Sequence, residues 1–157
     1  MITVGATLPE VTFNVLVNGE LTNPRSHHLF ADKKVVLFAV PGAFTPTCSA
    51  AHLPGYVALA DKLKAKGVDE IMCVAVNDAF VMDAWKKSAN AEEITMLADG
   101  NAYFTKAIGL DMNTGDFGGF RSVRYSMLVI NGVVRKLNIE DPGRFVVSDA
   151  QTMLDSL

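Results

Sequence analysis

Two largely apolar runs, KKVVLFAV at 33–40 and VDEIMCVAV at 68–76, constrain this chain more than any other feature. Both are rich in β-branched residues and neither alternates polar with apolar, which is the pattern of a strand covered on both faces. Between them, from Pro46 to about Lys66, Leu53, Val57, Ala60 and Leu63 recur at helical spacing, and Gly67 supplies a stop. Pro54 inside that segment is expected to kink it. After the second run, Asp78 is placed to cap a helix that carries Phe80, Val81, Ala84 and Trp85 on one side. Strand, helix, strand, helix implies parallel pairing at the centre of an α/β fold.

The flanking segments read as edges of that sheet. VTFNVLV runs into Asn18-Gly19, a pair that tolerates the positive φ of a tight hairpin turn, so a peripheral N-terminal hairpin is expected. Ile94–Ala98 suits a short third strand, Tyr103–Leu110 a short helix, and residues 111–120 a glycine-rich loop. Ser122–Ile130 and Val133–Ile139, joined by Asn131-Gly132, make a second hairpin, and Ser148 is expected to cap a closing helix to Leu157. At 157 residues, 50% of them hydrophobic, the chain suits a single domain spanning 1–157 with a proper core.

The charge balance excludes several functions. A net charge of -3, with lysines and arginines scattered, gives no footprint for nucleic acid or an anionic membrane. No apolar run approaches the roughly 20 residues that span a bilayer, and MITVGATLPE lacks the features of a secretory signal, so a cytoplasmic location is expected. Cys48 and Cys73 stand in no CxxC or CxxH spacing, which argues against structural zinc, a disulfide framework and a thiol-disulfide oxidoreductase. His27 and His28 have no third and fourth ligand nearby, so no metal and no cofactor is expected.

The chemistry concentrates at PGAFTPTCS, residues 41–49. With Thr45 as N-cap, Pro46 falls at the first helical position, where its missing N–H costs nothing, and Cys48 at the third. Unpaired backbone donors and the positive end of the helix dipole favour a thiolate there. That converts a packing residue into a nucleophile. His52, four residues on, shares the helix face, and by spacing alone also fits the base of a cysteine-histidine hydrolase.

PGAFTPTCS followed by HLPGY resembles the active-site segment of peroxiredoxins, and within them the type II, or fifth-class, branch. The likeness extends through KKVVLFAVPG, VNDAFVMDAW and RYSMLVINGVV, hence over most of the chain. The resemblance implies a thioredoxin-like fold, with a central mixed sheet flanked by helices and the N-terminal hairpin at its side. It also implies a thiol-specific peroxidase for hydrogen peroxide and alkyl hydroperoxides, with a peroxidatic cysteine in a Pro-x-x-x-Thr-x-x-Cys frame, matched by Pro41, Thr45 and Cys48, and one arginine, matched by Arg124. On this reading Cys48 attacks a peroxide oxygen, and Arg124, expected on a strand, meets the developing charge together with the Thr45 hydroxyl and the Cys48 N–H. Pro41 shields the sulfur from water, and His52 plays a supporting hydrogen-bonding role. Arg121, three positions earlier, is expected on the opposite face as a solvent charge.

The resulting sulfenic acid needs a thiol partner. Cys73 is the only internal candidate for the resolving residue, and its run IMCVAV argues equally for a packed strand residue. GRFVVSDA holds no cysteine, which excludes a late resolving residue there. The resemblance favours glutathione and glutaredoxin as external reductant, with thioredoxin the alternative. Phe44 and Phe120 are expected to lend an apolar pocket for alkyl hydroperoxides, and Phe44, Phe80, Trp85 and Phe120 lie in segments that form a homodimer face in related proteins, although core aromatics fit them as well. The rival function is a redox sensor that passes oxidation from Cys48 to a partner.

Overall fold

The computed structural model describes residues 1–157. Its N-terminal hairpin pairs β1 (Val15–Val17) with β2 (Glu20–Thr22) across Asn18 and Gly19, whose φ values of 52° and 80° give the turn that matches strand twist. The short α1 (Ser26–Phe30) leads into β3 (Lys34–Ala39), the first apolar run. Next come α2 (Leu53–Ala65), β4 (Glu70–Ala75), α3 (Ala79–Ser88), β5 (Ile94–Ala98) and α4 (Tyr103–Ala107). A second small hairpin, β6 (Asp111–Asn113) with β7 (Phe120–Ser122), precedes β8 (Tyr125–Ile130), β9 (Val133–Ile139) and α5 (Ala150–Asp155).

The five-stranded sheet has the order β5-β4-β3-β8-β9. β3, β4 and β5 run parallel, as alternation with helices requires, and β8 and β9 add antiparallel pairs. This is the mixed, helix-flanked sheet of a thioredoxin-like fold. Strand alternation divides β3 between two cores: Val36 and Phe38 pack towards α2 and α3, while Val35, Leu37 and Ala39 pack on the side of α4 and the N-terminal segment. Burial on both faces is the physical reason for the unbroken apolar run.

Three local expectations need correction. On α3, capped by Asp78 as expected, the buried residues are Ala79, Met82 and Trp85, and Phe80 projects outward at 62% exposure. The glycine-rich stretch is not a plain loop but carries β6 and β7, which are too short to show a period. The cap of α5 is Asp149, whose carboxylate accepts from the Thr152 N–H, and Ser148 is buried instead. Pro54 acts through a wide π turn over Cys48–His52, in which the Leu53 N–H reaches back to Cys48 O. Proline lacks the donor for the normal bond and its ring crowds the carbonyl four residues earlier, and one extra residue in the turn relieves both problems.

Candidate active site

Antiparallel pairing of β3 with β8 sets Ala39, near the end of one strand, opposite Tyr125 at the start of the other. The loop that begins at Pro41 and the residue just before β8, Arg124, therefore meet at one end of the sheet. Arg124, expected on a strand, lies instead one position outside β8, where its carbonyl accepts from the Glu140 N–H at 3.0 Å. At the loop, the Ser49 N–H donates to Thr45 O at 2.9 Å, the first helical bond, so Thr45 is the N-cap and Cys48 stands third in the helix. Asn77 Oδ1 fixes the loop through the Ala43 N–H at 3.0 Å, and Trp85 Nε1 donates to Ser49 Oγ at 3.0 Å.

Two donors converge on one sulfur. Arg124 Nη2 lies 3.0 Å from Cys48 Sγ, and Thr45 Oγ1 lies 3.0 Å from the same atom. The Thr45 hydroxyl also sits 2.6 Å from Gly42 O. It has one proton to give, so it serves Gly42 when the sulfur is a thiol that can donate to it, and it turns to the sulfur when that atom is an anion. The arrangement accommodates both charge states, while the guanidinium rewards only the thiolate.

His52 is fully buried and bridges Arg124 to the rest of the fold: Nδ1 lies 2.8 Å from Arg124 Nη1 and Nε2 lies 3.0 Å from Ser148 O. Burial and then the neighbouring Arg124 charge lower its pKa from 6.5 to about 3, against weaker upward pulls from the Ser148 carbonyl, Glu140 and Asp149. A neutral ring held through both nitrogens cannot act as the free base of a hydrolase. Phe38, Tyr56 and Phe145 pack around it, with Phe38 stacked on Tyr56 at 4.1 Å.

Cys48 itself is completely buried. Beside Pro41 and Arg124 opens a cavity of about 200 Å³, to which Met112, Val123 and Phe145 contribute apolar surface and Glu140, Asp141 and Arg144 charged groups. Phe44 and Phe120 do not line it, contrary to expectation: Phe44 is 54% exposed, and Phe120 lies under Lys106 Nζ, 4.2 Å from the ring centroid. Trp85 belongs to the core, whereas Phe44, Phe80 and Phe120 are exposed. Cys73 is also fully buried, in the core layer that holds Cys48, and burial, with the nearby Cys48, pushes its thiol well up while Arg124 offsets only part of this.

Sequence reasoning misjudged Arg121 and missed Glu140. Arg121 is no solvent charge, because its Nε donates to Gly118 O and its Nη1 to Val76 O, each at 3.0 Å, tying the β6–β7 hairpin to the segment just after β4. Glu140 gathers the loop before α5 and is described below. No residue pattern marks either partner set.

A helix-flanked mixed sheet with two donors converging on one buried sulfur is the arrangement of an activated-cysteine site. Residues 3–154 match the model of the Redoxin family. Peroxiredoxin-2E-2, chloroplastic, of Oryza sativa is 49% identical over 99% of this chain and 72% of its own length. The hybrid peroxiredoxin hyPrx5 of Haemophilus influenzae is also 49% identical, and this chain spans 65% of it. The crystal structure of reduced Prx3 from Vibrio vulnificus in complex with hydrogen peroxide superposes with a TM-score of 0.98 at 61% identity, covering 99% of each chain. The chain belongs to the Redoxin family as a type II peroxiredoxin, a thiol-dependent peroxidase.

Proposed function

We propose that Cys48 is the peroxidatic residue, with Arg124, Thr45 and Pro41 serving it, in the reduction of hydrogen peroxide and alkyl hydroperoxides. The observation that carries this reading is the pair of donors at 3.0 Å from one sulfur. The Cys48 thiolate attacks one peroxide oxygen, the O–O bond breaks, and the departing oxygen leaves with the electron pair and takes a proton to become water or an alcohol. The Arg124 guanidinium stabilises charge as it moves from sulfur to that oxygen. Cys48 is left as a sulfenic acid.

An external thiol completes the cycle: it condenses with the sulfenic acid, releasing water, and a second thiol reduces the mixed disulfide. Glutathione with glutaredoxin is the reductant we infer. Its support is the setting of Cys73, buried in β4 and held as a poor nucleophile, together with the lack of any cysteine in residues 140–157. A thioredoxin-linked route through Cys73 requires that residue to leave the core. Exposed Phe44, Phe80, Phe117 and Phe120 support a homodimer whose face borders the site, and Phe44→Ser with Phe80→Ser should then sediment as monomer.

The test is peroxide consumption by wild type, Cys48→Ser and Cys73→Ser, with glutathione plus glutaredoxin and separately with a thioredoxin system. Cys48→Ser should be inert, and Cys73→Ser should keep glutaredoxin-linked turnover. Full activity in Cys48→Ser sinks the assignment.

A further inference from the structure

Glu140 follows β9 and is only 6% exposed, yet no positively charged side chain pairs with it. One oxygen, Oε2, instead accepts four hydrogen bonds: from the backbone N–H groups of Val146, Val147 and Ser148, each at 2.8 Å, and from Ser148 Oγ at 2.7 Å. Three consecutive amides wrapped around one anion fix the course of the chain through Ser148. Burial alone would raise the carboxyl pKa, but the bonds from Ser148, Val147 and Val146 outweigh it and hold the group below its ordinary value.

The fixed segment presents Ser148 O to two donors, Tyr56 Oη at 2.9 Å and His52 Nε2 at 3.0 Å. A carbonyl can only accept, so Nε2 carries the imidazole proton and Nδ1 is bare. Arg124 can only donate, and its Nη1 stands 2.8 Å from that bare Nδ1. Both neighbours of His52 thus fit the same tautomer, but Ser148 O belongs to the fixed segment, whereas the Arg124 side chain can swing away from a protonated Nδ1, so the carbonyl is the partner that selects it. With Nη1 anchored, the planar fork aims Nη2 at Cys48 Sγ, 3.0 Å away.

We propose that Glu140 is a positioning residue of the peroxidase site: by clasping residues 146–148 it orients Ser148 O, selects the His52 tautomer and so locks Arg124 onto Cys48. The inference rests on the roles given above to Cys48 and Arg124. It adds a control point that reaches the sulfur only through Ser148, His52 and Arg124. A purely structural clasp would support the loop and leave the imidazole proton where it was, and that difference makes the proposal testable.

The experiment records two-dimensional ¹H–¹⁵N spectra of the His52 ring in the full reduced chain. It also measures the second-order reaction of Cys48 with hydrogen peroxide by stopped-flow fluorescence, for wild type, Glu140→Ala and Glu140→Gln. His27 and His28, the other two histidines, lie in α1 away from the site and separate readily. Wild type should show a protonated Nε2 and a bare Nδ1. Glu140→Ala should show mixed tautomers and a rate about tenfold or more lower, the scale of loss from a slightly misplaced catalytic group. If Glu140→Ala does not fold, Glu140→Gln, which keeps the shape and gives up the charge, should show both changes with a rate loss of about threefold or more.

A proton on Nδ1 in wild type overturns the proposal. So does a rate loss without a tautomer change, or wild-type values of both in whichever variant folds. Wild type that reacts with no peroxide would instead remove the assignment of Cys48, and the tautomer would still be read on the same sample.

Discussion

Acidification from pH 7 to pH 5 should destabilise this protein through one residue, His52. Its pKa falls from 6.5 to about 3 in the folded chain, because the buried ring excludes water and faces the Arg124 charge. Between those values the unfolded chain binds a proton that the folded chain refuses, so this contribution to stability is complete above about pH 6.5 and is lost as pH falls towards 3. From pH 7 to pH 5 the loss integrates to about 2 kcal/mol, with a slope approaching 1.4 kcal/mol per pH unit below pH 6. That is roughly a 30-fold fall in the ratio of folded to unfolded chains. Glu140, whose pKa is lowered, acts with the same sign but over the more acidic range in which carboxylates titrate. Urea unfolding at pH 7, 6 and 5, at one fixed protein concentration, measures the slope, and His52→Gln should flatten it. Equal stability of wild type at pH 7 and pH 5, or the same slope in His52→Gln, refutes the reasoning.

Replacing Arg124 by Met removes the donor at 3.0 Å from Sγ, and the second-order rate of Cys48 with hydrogen peroxide should fall about 100-fold or more, read by stopped flow. Cys73→Ser places a hydroxyl at a position with no exposure and should lower unfolding stability by about 1–3 kcal/mol while leaving glutaredoxin-linked turnover intact; a stable variant without turnover would make Cys73 the resolver. In Gly118→Ala the new Cβ would stand 2.6 Å from Arg121 Nε and 2.7 Å from Nη2, so the guanidinium must leave its carbonyls, and a thermal scan should show a loss of about 1–3 kcal/mol.

The residues that could be read in advance are those whose environment follows from their own segment. β3 and β4 declare themselves because burial on both faces permits nothing but apolar side chains. Asn18-Gly19 and Asn131-Gly132 do so because all four residues adopt positive φ. Thr45, Pro46 and Cys48 encode a helix start by themselves. Arg124 could be named only through resemblance, since its partner stands 76 positions away. Arg121 and Glu140 were illegible for a related reason: each is defined by backbone groups of other segments, and any sequence supplies an N–H or a carbonyl. Ser148 was misplaced by one residue because serine and aspartate cap helices equally well, and the adjacent Asp149 took that role.

The wide turn over Cys48–His52 gives the protein a clock. A sulfur with no exposed surface cannot reach the thiol of another protein until the turn that carries it gives way. With Cys48 as the peroxidatic residue proposed above, how often that turn opens sets two quantities at once: the fastest rate at which a reductant can restore the enzyme, and the time for which each oxidised Cys48 waits before a second oxidation. Pro54, which lacks the N–H of a regular helix, is the residue that favours that turn, and on this reading its replacement would change both.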